Sequence, residues 1–166
     1  MEQIDSYLEL ARRAARESFV AKCPGFYLLK RPRTGPKPTS PAPQIRFETW
    51  QEKMEIDPFA AEWRIAPVRK KPDNPFPERL VVGRAPNCDV VLRVPFISKV
   101  HAHIMVQADG LTLVPGQSQK VQYNYRPIEE GGRRRLLVGD HIAFGALEFA
   151  FVDSAMLYDI LRTEVR

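Results

Sequence analysis

The stretch "RLVVGRAPNCDVVLRVPFISKVHAHI", Arg79 to Ile104, reads as apolar strand sequence interrupted by residues that can bind an anion. Gly83-Arg84 closes one run, and Ser98-Lys99 opens another, with His101 just beyond. A guanidinium presents parallel N–H donors in a fixed plane, a geometry that suits phosphate or carboxylate oxygens. A serine hydroxyl adds a donor that rotates to suit, and a lysine adds a compact charge. If the two turns converge, Arg84, Ser98 and Lys99 form one anion site. If they do not, each is an ordinary turn residue.

Other chemistries find less support. His101 and His103 make an H-x-H pair, but no Cys, Asp or Glu stands near enough in sequence to complete a metal set. Cys23 and Cys88 lack CxxC spacing, so two free thiols in a reducing cytoplasm are expected. There is no G-x-S-x-G elbow, no P-loop and no H-E-x-x-H pattern. Glu129-Glu130 beside Gly131-Gly132 reads as a solvated hairpin. The expectation is a binding protein, not an enzyme, with no cofactor and no metal.

Charge narrows the partners. The net charge is +5, and the segment from Lys22 to Arg46 holds six basic and no acidic residues. From Asp57 to Asp153 there are 13 basic against 11 acidic residues, so the body is nearly balanced. A nucleic-acid-binding domain normally carries its basic excess on the folded face. Arg133-Arg134-Arg135 alternate across a strand and lack interleaved stacking aromatics, so nucleic acid is disfavoured. The N-terminus is charged throughout, and no window approaches the ~18 apolar residues of a membrane span. No membrane partner is expected, and the location expected is cytoplasmic.

These residues need elements to hold them. Ile4, Tyr7, Leu8, Ala11, Ala14 and Ala15 form an apolar stripe that predicts a helix over 4–20, with Arg12, Arg13 and Arg16 on its solvated face. Cys23-Pro24-Gly25 ends it, and "FYLLK" has strand character. Residues 32–43 hold five prolines and read as a solvated linker. Phe47, Trp50 and Met54 after it fit either one helical face or a docking strip. From Trp63 nine short strands are predicted, separated by Gly, Pro, Asn and Asp turns. Ser154 is a candidate cap for a closing helix striped by Met156, Leu157, Ile160 and Leu161. The fold class is therefore mainly β: a β-sandwich with an N-terminal helix and a short C-terminal helix. The divisions are 1–31 (helix and strand extension), 32–61 (linker and docking segment), 62–153 (sandwich) and 154–166 (helix).

The order Gly83-Arg84, Asn87-x-Asp89, Ser98-Lys99-x-His101-Ala102, then Leu137-Val138-Gly139-Asp140-x-Ile142-x-Phe144-Gly145 resembles the forkhead-associated (FHA) domain. The resemblance covers about residues 62–153. It implies a sandwich of antiparallel and mixed strands whose end loops bind phosphothreonine peptides in signalling. It implies Arg84 and Ser98 as phosphate ligands with Lys99 beside them, and Gly83 and His101 as braces. Ser118, Gln119 and Lys120 stand where the family has Thr or Ser, Asn and Gly, and the resemblance implies Ser118 and Gln119 as further phosphopeptide-binding residues. Gln119 keeps the carboxamide on a longer arm. Lys120 puts a Cβ where a left-handed backbone would resist one, and Tyr125 does the same in place of a later glycine. The function expected is a phosphothreonine-binding adaptor for proteins phosphorylated by Ser/Thr kinases. The alternative is a phosphate-independent FHA scaffold for protein assembly. Thr34 and Thr39 in the basic linker are candidate phosphorylation sites that the same chain could capture.

Overall fold

The computed structural model describes residues 1–33, 56–117 and 119–166. Twelve strands and three helices are found among them. In chain order they are β1 Glu2–Gln3, α1 Asp5–Arg13, α2 Arg16–Lys22, β2 Phe26–Lys30, β3 Arg64–Val68, β4 Arg79–Gly83, β5 Val90–Val91 and β6 Ala102–Gln107. There follow β7 Gly110–Pro115, β8 Val121–Tyr123, β9 Arg126–Pro127, β10 Arg134–Arg135, β11 His141–Phe144, β12 Leu147–Asp153 and α3 Ser154–Thr163. One sheet runs β1-β3-β2-β12-β11-β8-β9, and the other runs β10-β7-β6-β4-β5. Neighbours are antiparallel except β4 and β5, which run parallel with Val82 opposite Val90 and Gly83 opposite Val91.

Two cores follow from strand alternation. In β2, Leu28 joins the core that also holds Leu92, Ile97, Ile104, Phe144 and Phe149, whereas Tyr27 and Leu29 join a second core. That second core holds Phe19, Leu157 and Leu161 from the helices. β12 repeats the pattern, Phe149 and Phe151 to one side and Val152 to the other. A strand buried on both faces shows a continuous apolar run, which explains "FYLLK". The result is three layers: helices, the larger sheet and the smaller sheet.

The structure corrects two elements. A single helix over 4–20 is instead α1 and α2, separated by extended backbone at Ala14 (φ −106°, ψ 150°) and Ala15 (φ −68°, ψ 159°). α3 holds the break open: Tyr158 Oη donates to Ala14 O at 3.3 Å, and Arg16 grips Asp159 with two bonds of 3.0 and 2.9 Å. Arg16 is therefore paired. The closing helix is capped by Asp153, whose carboxylate accepts from Met156 N at 2.8 Å, and not by Ser154. The strand β2 pairs with β3 and β12. Phe47, Trp50, Met54, Thr34 and Thr39 lie outside the described residues.

The described residues on either side of 34–55 meet one another. Lys30 Nζ meets Asp57 at 2.9 Å, with side chains only 2% and 3% exposed, and also donates to Phe59 O at 2.7 Å. Arg33 N donates to Ala60 O at 2.7 Å, and its guanidinium reaches Glu148 at 3.1 Å.

The β8–β9 hairpin carries its own tension. Asn124 (φ 47°) and Tyr125 (φ 66°) both occupy the left-handed region that a two-residue type I′ turn demands. Tyr125 stacks on His141 with centroids 4.0 Å apart. Burial holds the His141 imidazole below its ordinary pKa. A side chain in left-handed backbone costs about 1–2 kcal/mol, and loss of the stack returns part of that. Tyr125→Gly is expected to raise unfolding stability by about 0.5–1 kcal/mol, read from urea melts. Lys120, by contrast, does not take a positive φ, so its Cβ costs nothing there.

Candidate phosphate-binding site

Three connections meet at one end of the sandwich: 84–89 after β4, 92–101 after β5 and 116–120 after β7. Gly83 brings the first two together. A Cβ built on it would fall inside the van der Waals shell of Lys99 O and 3.0 Å from Ser98 O. The contact is locked by Arg84 N donating to Ser98 O at 2.9 Å and Ala85 N donating to Lys99 O at 3.2 Å. The Cys88 thiol, whose pKa burial pushes up, donates to Lys99 O at 3.1 Å.

Arg84 is exposed but anchored. Its Nε donates to Ile97 O at 3.0 Å, which leaves the two terminal nitrogens for a ligand. Lys99 is exposed, and neither it nor Arg84 is engaged in an ion pair among the described residues. The nearby carboxylate, Asp89, is buried and spent elsewhere. It accepts from Lys71 N at 2.8 Å, and from Asn74 Nδ2 and Val81 N at 2.7 Å each. Among the described residues, the site therefore keeps its positive charge without an ion-pair partner.

The third connection is tied to the second through His101, which is 2% exposed. Its Nδ1 accepts from Ser98 N at 3.2 Å, so its proton sits on Nε2, which faces Lys120 O at 3.2 Å. The ring packs edge-on against Phe144, with centroids 5.9 Å apart. Gly116 makes room for this join: a Cβ there would lie 2.9 Å from His101 O. The sequence reading passed over Gly116, and only the close approach of two loops distant in sequence reveals it.

Ser98 and Gln119 meet. Ser98 Oγ donates to Gln119 Oε1 at 2.6 Å, and Gln119 Nε2 donates to Gln117 O at 3.1 Å. The second bond orients the amide, so Oε1 must face the serine. Arg84, Ser98 and Lys99 are thus on adjoining loops, with Gln119 on the serine. Ser118 lies outside the described residues. No group of three His, Cys, Asp or Glu that could hold a metal ion occurs among the described residues. No helix among them is long and apolar enough to cross a membrane.

Residues 80–145 match the family described as FHA domain. No curated protein sequence matches the chain significantly. Among solved structures, EmbR of Mycobacterium tuberculosis, in complex with a low affinity phosphopeptide, is similar at 28% identity. The likeness covers 47% of this chain and 20% of EmbR, with a TM-score of 0.43. This chain thus spans a fifth of the EmbR chain. The FHA domain of CT664 from Chlamydia trachomatis is similar at 29% identity over 46% of this chain and 77% of that one, TM-score 0.41. The N-terminal FHA domain of Rad53p from S. cerevisiae, in complex with a phosphothreonine peptide, is similar at 22% identity. It covers 49% of this chain and 73% of its own, TM-score 0.43.

Proposed function

From the premise that this chain carries a forkhead-associated domain over residues 80–145, we propose that it is a phosphothreonine-binding adaptor. Its ligand is a protein phosphorylated by a Ser/Thr kinase, and it has no catalytic step. The observation that carries this reading is the anchored guanidinium of Arg84, in no ion pair among the described residues, on the loop next to Ser98 and Lys99. Arg84 supplies the fork for two phosphate oxygens, Ser98 supplies a hydroxyl donor, and Lys99 supplies charge at the rim. Gly83 and His101 hold the loops in register. A hydrogen bond to a charged group contributes about 1.5–3 kcal/mol, so two or three give modest affinity with rapid exchange.

Gln119 modulates the site. In the free chain its carbonyl occupies the Ser98 proton, which must turn to the phosphate on binding. Breaking a neutral hydrogen bond of this kind costs about 0.5–1.5 kcal/mol. The shorter arm of Gln119→Asn relaxes that competition. The variant is expected to bind a phosphothreonine peptide about three- to tenfold more tightly, measured by fluorescence anisotropy. Unchanged or weaker binding would count against the competition.

The finer identity of the ligand includes the chain's own linker. Thr34 directly follows Arg33, which contacts Ala146 O at 3.3 Å, and the neighbouring Gly145 N donates to Lys120 O at 3.1 Å. This attachment beside the 116–120 loop supports capture of a phosphorylated Thr34 or Thr39 at high effective concentration. A phosphothreonine peptide library, read beside its unphosphorylated twin, tests the function. Phosphate-dependent enrichment is the expected result, and equal retention of both libraries would favour the phosphate-independent scaffold.

A further inference from the structure

Arg84 is not the only arginine at this end of the smaller sheet. β4 and β5 are the parallel pair, and Leu92 N donates to Gly83 O at 2.8 Å beyond the Gly83–Val91 register. Parallel strands leave a sheet on the same side, about 4.8 Å apart. Arg84 and Arg93 therefore emerge from adjacent strand ends. Both line one open cleft of about 470 Å³, completed by Val94 and Pro95. Arg93 also lines a neighbouring depression with Phe59, Val91 and Met1. It is exposed, and no ion pair engages it among the described residues. Asp89, the acidic residue between the two strands, is consumed by Lys71, Asn74 and Val81.

Two guanidinium groups facing one cleft, without an ion pair among the described residues, repel each other and favour a ligand with two anions. We propose that this site selects phosphothreonine segments carrying a second anionic group, a carboxylate or another phosphate, which Arg93 binds. The inference rests on the phosphothreonine reading and names its substrate class more narrowly. An extended peptide advances about 3.3 Å per residue, so the second anion lies within about four residues of the phosphothreonine. Val94 and Pro95 form the apolar floor between the two charges.

The test is fluorescence anisotropy on the full chain. It uses one neutral-flanked phosphothreonine peptide and a scan that places Asp, or phosphoserine, at each position up to four residues on either side. Each peptide is paired with a version carrying unphosphorylated threonine. The wild-type chain is expected to bind one position of the scan about five- to tenfold more tightly than the neutral peptide, with phosphoserine exceeding Asp. Arg93→Gln is expected to remove that gain while holding the neutral peptide within about twofold of wild type. Arg93→Glu is expected to prefer Lys at the same position, a reversal that loss of folding cannot produce. No gain at any position, or an equal loss on both peptides in Arg93→Gln, overturns the inference. If no peptide binds in a phosphate-dependent way, the functional reading itself fails and the inference falls with it.

Discussion

Arg84→Ala is expected to weaken binding of a phosphothreonine peptide by about two orders of magnitude or more, while the chain stays folded. The size follows from losing two charge-assisted hydrogen bonds at about 1.5–3 kcal/mol each, of which a remaining lysine and serine recover little. Folding is spared because the guanidinium is exposed and makes a single intramolecular bond, Nε to Ile97 O. The loop contact depends on the Arg84 backbone N–H, which alanine keeps. Arg84→Lys separates charge from geometry. It is expected to recover only part of the loss, because an ammonium cannot offer the planar fork. Calorimetric titration beside a thermal melt checks both halves. Binding within a fewfold of wild type would place the phosphate elsewhere.

The largest stability effect is expected at the Lys30–Asp57 pair. Removing one partner of a buried ion pair costs about 3–5 kcal/mol, because the other charge is left without compensation. Asp57→Ala strands the Lys30 ammonium against the carbonyls of Phe59 and Arg31. For a chain of this size such a loss lowers the melting temperature by roughly 10 °C. The double replacement Lys30→Met with Asp57→Leu removes both charges and is expected to restore most of the loss. A double variant as unstable as the single one would show that the pair is needed for shape, not neutrality.

How much of this was legible beforehand depends on whether the cause is local. Arg84 and Ser98 stood out because they interrupt apolar alternation at turn residues, a local signal. That the two turns touch depends on Gly83 admitting the Lys99 carbonyl, a contact across 16 residues that no spacing encodes. Arg93 follows β5 by two residues, and the parallel register that brings it beside Arg84 is a property of pairing alone. "FYLLK" was legible as a strand but not as an internal one, since burial on both faces requires helices from both ends of the sequence. The helix over 4–20 failed because alanines at 14 and 15 favour helix locally. The break is held from outside by Tyr158 and Asp159. Lys120 drew attention as a residue in place of glycine, yet its backbone avoids the left-handed region. Tyr125 does adopt it, tied down by the stack on His141.

The central claim is that the phosphate of a phosphothreonine sits between Arg84 and Ser98, and that Ser98 leaves Gln119 to reach it. A crystal structure of the chain with its strongest phosphothreonine peptide tests this most directly. The expected map has phosphate oxygens about 2.8 Å from the Arg84 terminal nitrogens and from Ser98 Oγ, with Gln119 rotated away. A phosphate held elsewhere on the chain, with the Ser98–Gln119 bond still closed, would contradict it.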